Sequence, residues 1–146
     1  MEYKIFNGTA VLRVDKGEEL IASLLKFQKE AGFRTAIVQG IGAVNHVEAG
    51  LFLTKEKRYV SQIKTGDMEI VSLEGNLSEK DGAPYAHLHI AVADQTGAVW
   101  GGHLNQATVS ATAELTVQKI NGSVDRTFSE EIGLNLFDFG KTFETV

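Results

Sequence analysis

The chain has 146 residues, with 19 acidic and 14 basic side chains, a net charge of −5, 15 glycines, one proline and no cysteine. The missing cysteine excludes a disulfide framework, a thiol nucleophile and a cysteine-type zinc site. The acidic balance, with no basic run, argues against a general nucleic-acid surface, which needs clustered Lys and Arg.

The length is that of one ordinary domain, residues 1–146, able to bury a core without a metal to staple it. A metal in such a chain is functional or tunes the assembly. The opening MEYKIFNGTAVLRV lacks a basic segment followed by a long apolar one. No run approaches the roughly 18 apolar residues of a membrane span. The expectation is a soluble, cytoplasmic protein.

Ile5 to Val14, with Val11, Leu12 and Val14, predicts a first strand. A helix follows: Asp15 is a candidate N-cap with Glu18 three residues on, Leu20, Ile21, Leu24, Leu25 and Ala31 recur at helical spacing, and Gly32 ends it. Thr35 to Gln39 predicts a short strand running into Gly40-Ile41-Gly42-Ala43-Val44-Asn45, which looks like half of a dinucleotide fingerprint. That reading fails, because Asn45 holds the third glycine position and His46 to Leu53 alternates like a strand where a phosphate-binding helix is required. A strand-turn-strand connection is expected instead.

Lys55-Glu56-Lys57-Arg58 reads as a solvated turn. Tyr59 to Lys64 and Met68 to Leu77 continue the β pattern, with Gly66-Asp67 and Lys80-Asp81-Gly82 as turns. Thr108 to Ile120 alternates through Val109, Ala111, Ala113, Leu115 and Val117, and Asn121-Gly122 is a tight turn before Ser123 to Phe128. In Leu134 to Phe139 the apolar residues break phase, which predicts a bulge or burial on both faces. The fold class is α+β: one principal helix packed on a twisted, mostly antiparallel or mixed β-sheet.

Three of the four histidines lie in PYAHLHIAVADQTGAVWGGHL, Pro84 to Leu104. Ala86 to Ala93 and Ala98 to Leu104 flank Asp94-Gln95-Thr96-Gly97, a hairpin signature. A three-residue loop with Gly97 as the left-handed residue sets Asp94 opposite Ala98, and counting back five residues sets His89 opposite His103. Side chains alternate along a strand, so His87 shares that face and lies diagonal to His103. Opposed Cβ atoms are about 4.5–5.5 Å apart and diagonal ones about 7–8 Å, a spread that three imidazoles can close onto one ion.

Neutral imidazole suits Zn²⁺, Fe, Ni and Cu, and three protein nitrogens leave a fourth position open to water or substrate. The candidate metal ligands are therefore His87, His89 and His103. Gly101-Gly102 beside His103 lets another backbone, subunit or ligand approach closely. His46, in a different strand, reads as structural or exposed. Glu69, Glu74 and Asp94 are the available carboxylates, and spacing alone assigns none of them as a general base.

These residues carry a resemblance. Leu12-Arg13 followed by Gly17-Glu18, Gly40-Ile41-Gly42-Ala43-Val44, and above all PYAHLHIAVAD with GAVWGGHL resemble the PPC (plants-and-prokaryotes conserved) domain over most of the chain. The resemblance implies one principal helix against a twisted sheet, a homotrimer, and a metal site, zinc in most prokaryotic members, at the positions that are His87, His89 and His103 here. Plant members differ at these histidines and carry AT-hooks that bind DNA, whereas no Arg-Gly-Arg core occurs in this chain. Their GRFEIL partner motif aligns with Gly66-Asp67-Met68-Glu69-Ile70-Val71, where Asp67 and Met68 replace the Arg and Phe. Arg13, at the family's Arg position, is expected to anchor an acidic group within the fold or trimer.

Three function classes follow. A metal-binding or regulatory module would take a small-molecule or protein ligand at the metal cleft. A metal-dependent enzyme would activate water or a carbonyl on a small molecule and would need an ordered carboxylate nearby. A DNA-associated protein, the label attached to the family, would need a basic surface that this composition does not supply.

Overall fold

The computed structural model describes residues 1–143. Strand dominates it. β1 (Glu2–Phe6) and β2 (Thr9–Asp15) form a hairpin, α1 (Leu20–Ala31) follows, and β3 (Thr35–Leu53), β4 (Arg58–Lys80), β5 (Ala83–Ala93) and β6 (Val99–Ile120) form the main sheet. β7 (Ser123–Ser129) and β8 (Leu134–Phe143) make a separate two-stranded sheet.

All six strands of the main sheet pair antiparallel, in the order β1-β2-β6-β3-β4-β5, and β6 also pairs with β5. The mixed-sheet alternative is thus ruled out. The extra pairing closes β3, β4, β5 and β6 into a ring. One edge of β6 meets β5 at residues 99–103 and β2 at residues 112–118. Between them, Val109 donates to the Glu18 carbonyl at 3.0 Å and accepts from Gly17 at 2.8 Å, so the chain entering α1 satisfies what would be a bare edge.

The first expected strand is two strands. Asn7 and Gly8 take φ of 48° and 83°, the two-residue turn that Asn-Gly favours, and Phe6 pairs with Thr9. The helix starts at Leu20, where its apolar pattern begins, and four residues later than an Asp15 cap would place it. Its N-cap is Glu19, whose carboxylate accepts from the Ile21 and Ala22 amides at 3.1 and 2.6 Å, while Asp15 ends β2 and its amide donates to Glu18 at 2.8 Å. Gly32 closes the helix in the left-handed conformation, as expected.

Gly40 to Asn45 and Gly66-Asp67 are not turns. They lie inside β3 and β4, where the pairing shifts between Gly40 and Gly42 and between Val44 and His46. Gly66 and Asp67 together face the single residue Asn45, which is a β-bulge. Glycine in a strand marks either feature, and local composition does not separate them.

The core lies inside the ring and under the helix. Leu20, Leu24 and Phe27 of α1 are fully buried, with Leu12, Val38, Leu73, Leu77, Leu88 and Leu115 from the strands around them. The β7–β8 hairpin is tied to the ring by Asp125, which accepts from the Asp81 and Gly82 amides, and by Val124, whose amide donates to Thr35 Oγ1 at 3.0 Å. Leu134 to Phe139 is not buried on both faces: Leu136, Phe137 and Phe139 are exposed, and the β7–β8 pairing shifts register beyond Asp138. Among the described residues no helix is long and apolar enough to cross a membrane.

Candidate metal centre

The hairpin places its histidines as counted. Asp94 and Ala98 bond at 3.1 Å, Gly97 takes φ of 78°, and His89 pairs with His103. The loop is stiffened by Asp94, whose carboxylate accepts from the Thr96 amide at 2.9 Å, the Thr96 hydroxyl at 2.6 Å and Lys64 Nζ at 2.9 Å. Those bonds hold the Asp94 carboxyl well below the usual carboxylate range.

Ring centroids are 5.0 Å apart for His87 and His103, 5.3 Å for His87 and His89, and 5.7 Å for His89 and His103. One ligand atom from each lies within 4.8 Å of the other two. A tetrahedral ion with nitrogen ligands at about 2.0–2.1 Å sets its donors roughly 3.3 Å apart. The cluster fits that demand with modest ring rotation, which half-buried or exposed imidazoles on an outer sheet face can make. The cluster could hold a metal ion.

Burial holds the His87 imidazole down at about 4, with the His103, Arg126 and His89 charges acting in the same direction. Burial, then His89, lowers His103 as well. Both rings are neutral near pH 7, the form that ligates. Tyr59 packs edge-on against the His103 ring at 5.5 Å and donates to the His103 carbonyl at 3.1 Å, steadying that residue from the far side of β3.

Of the three candidate carboxylates, the register brings Glu74 alone to the histidines. Glu74 pairs with His89 across β4 and β5, and together with Asn76, Gln39, His87 and His89 it lines a cavity of about 410 Å³. Glu69 pairs with Ala93, four residues further along β5, and Asp94 is spent on its own loop. His46, on β3, stands outside the cluster. Arg13 bonds Asp15 at 2.7 Å, an acidic group within the fold.

Gly101 and Gly102 serve a neighbouring backbone rather than a ligand. A Cβ on Gly101 would overlap the Ile90 carbonyl oxygen of β5, and one on Gly102 would meet that of Gly50 on β3. Counting from the Gly97 loop does not reach Asn76 or Arg126. Asp81-Gly82 is a two-residue turn with both φ values positive, and numbering back from it sets Glu74 opposite His89 and Asn76 opposite His87, so the first of these was available from sequence. Arg126 had no local signal, since it arrives from the separate hairpin.

A closed antiparallel sheet capped by one helix, with a three-histidine cluster on its outer face, defines the class. The chain belongs to the Plants and Prokaryotes Conserved (PCC) domain family, whose profile matches residues 1–121. It is similar to a structure from Bacteroides thetaiotaomicron named as "a putative dna binding protein", at 30% identity and TM-score 0.93, covering 96% of this chain and 98% of that one. It is also similar to a plant- and prokaryote-conserved protein of Pyrococcus horikoshii (33% identity, TM-score 0.83, 94% of both chains). A third is a metal-containing protein of Archaeoglobus fulgidus (33% identity, TM-score 0.84, 94% of this chain and 96% of that one). A curated relative, the bifunctional protein GlmU of a Synechococcus strain, is 32% identical over 111 residues, and the chain spans 16% of its length.

Proposed function

We propose that this chain is a metal-binding module in which His87, His89 and His103 hold one divalent ion, zinc, with a fourth position left for a small ligand. The observation that carries the reading is the approach of three imidazole donors to within 4.8 Å on paired, loop-stiffened strands. The Archaeoglobus relative, named as metal-containing, supports it. When bound, such an ion supplies Lewis acidity to whatever occupies the open position. The chain's own part is to keep the imidazoles neutral, orient them from a rigid hairpin, and line the cavity beside them with Glu74 and Asn76.

The protein acts in the cytoplasm as a homotrimer. Val11, Ile41 and Val71 line a groove on the outer sheet face together with Gln39, Glu74 and Glu114, and Ile41 is 60% exposed, a mixed surface that a second copy of the chain would cover. An enzyme reading has one specific observation in its favour: Glu74 pairs with His89 across β4 and β5 and lines the same cavity as His87 and His89, which sets a carboxylate beside the proposed ligands. The net charge of −5 weighs against the DNA reading attached to the Bacteroides relative's name.

Loading the metal-free protein with Co²⁺ tests the coordination. The visible bands of four-coordinate cobalt should appear at one equivalent and shift on addition of thiocyanate. Bands of six-coordinate cobalt, or bands that an added anion leaves untouched, would contradict an open four-coordinate site.

A further inference from the structure

Arg126 is 5% exposed, and its guanidinium bonds no carboxylate among the described residues. Its guanidinium lies between the rings of Tyr85 and Phe137, at 4.7 and 4.2 Å. It donates only to neutral acceptors: Ser78 Oγ, the Asn135 carbonyl and Asn76 Oδ1, each at 2.9 Å. The adjacent Asp125 carboxylate accepts from the Arg126, Asp81 and Gly82 backbone amides and not from the guanidinium. A buried charge is ordinarily paired. This one is not, and it stands beside the histidines, since Asn76 pairs with His87 and Tyr85 precedes His87 by two residues on the same face of β5.

The bond to Asn76 has a further effect. Arginine is donor-only, so it takes the amide oxygen of Asn76 and leaves Nδ2, which donates to no protein atom among the described residues. Asn76 lines the cavity with His87 and His89. Its free N–H donors and the guanidinium charge behind them therefore lie at one end of that cavity, and the Glu74 carboxylate at the other.

We propose that this cavity is a carboxylate-binding site, in which Asn76 Nδ2 donates to a small organic acid seated beside the three histidines. Arg126 is a positioning residue that fixes the Asn76 amide and supplies the compensating charge. The inference rests on the metal reading for what fills the remainder of the cavity. Arg126 lies on β7, beyond residues 1–121 that the family profile matches.

The Asn76 side-chain amide resonance of ¹⁵N-labelled, zinc-treated protein gives the test, with acetate and malonate as probes, malonamide as the neutral counterpart and inorganic phosphate as the competing anion. The acids should shift that resonance at concentrations at least tenfold lower than malonamide or phosphate. Asn76→Asp, which lacks that resonance and whose carboxylate neutralises the guanidinium, should weaken acid binding, read by titration calorimetry, at least tenfold with zinc content unchanged. Arg126→Gln should do the same, and Arg126→Lys should restore part of the acid-over-amide preference, which a purely structural role would not. Equal binding of acid and amide, tighter binding of phosphate, or an unaltered Asn76→Asp variant would overturn the proposal. Should the parent hold no zinc, the metal reading fails on its own, and the same acid titration of metal-free protein still decides this one by whether the Asn76 resonance moves.

Discussion

His89 and His103 face each other across the β5–β6 pair with their rings 5.7 Å apart, because Gly101, two residues from His103, lets the strands close without a side chain between them. A Cβ at Gly101 would overlap the Ile90 carbonyl oxygen and lie 2.8 Å from Ala91 Cα. Gly101→Ala must therefore push the strands apart. The expected loss is about 1–3 kcal/mol, as for other overpacking substitutions, with weaker metal uptake than the fold loss alone explains. Urea denaturation of metal-free protein beside a zinc competition assay separates the two effects.

Protonation gives a second test. The His87 pKa is about 4 in the folded protein, against about 6.5 for an unperturbed histidine. Between those values the unfolded chain binds the extra proton, so stability rises with pH across that window and falls as pH drops through it. Metal-free protein should show a denaturation midpoint that declines from pH 6.5 to 4, and His87→Asn should flatten that decline. An NMR titration placing His87 near 6.5 would refute burial as the cause of that decline.

Glu19 ties the helix to the sheet as well as capping it. Its carboxylate accepts from the Ile21 and Ala22 amides and from the Ala107 amide of β6 at 3.1 Å. Glu19→Ala removes a cap worth about 1 kcal/mol and leaves the Ala107 amide without that partner. The loss should exceed that of Asp15→Ala, since Asp15 caps nothing in α1. Thermal melts of the two variants give the comparison.

The trimer is testable through the groove that Ile41 and Val71 line. Ile41→Asp combined with Val71→Asp should leave the fold intact, because both side chains are exposed on the protomer, and convert a trimer to monomers in sedimentation velocity. A parent that sediments as a monomer at micromolar concentration would rule the trimer out.

The sequence carried the histidine cluster because a hairpin loop sets register locally: Gly97 defines the turn, and counting back from it reaches His89 and His103. It carried the helix and its Gly32 stop for the same reason. The long strands were less legible. β3 and β4 absorb glycines as bulges, and Gly66 reads the same in composition whether it turns the chain or offsets it by one residue. The closure of β6 onto both β3 and β5 is a matter of distant pairing that no local pattern encodes. Arg126 reaches the site for a tertiary reason alone, the docking of the β7–β8 hairpin over Ser78 and Tyr85.

Metal analysis of protein purified without a histidine tag, beside the double variant His87→Ala with His89→Ala, bears most directly on the three-histidine site. The expected result is about one ion per chain in the parent, zinc among the ions offered, and almost none in the variant, with zinc at 100 times its dissociation constant stabilising the parent alone by about 2.7 kcal/mol. Equal metal content in the two proteins would contradict the site.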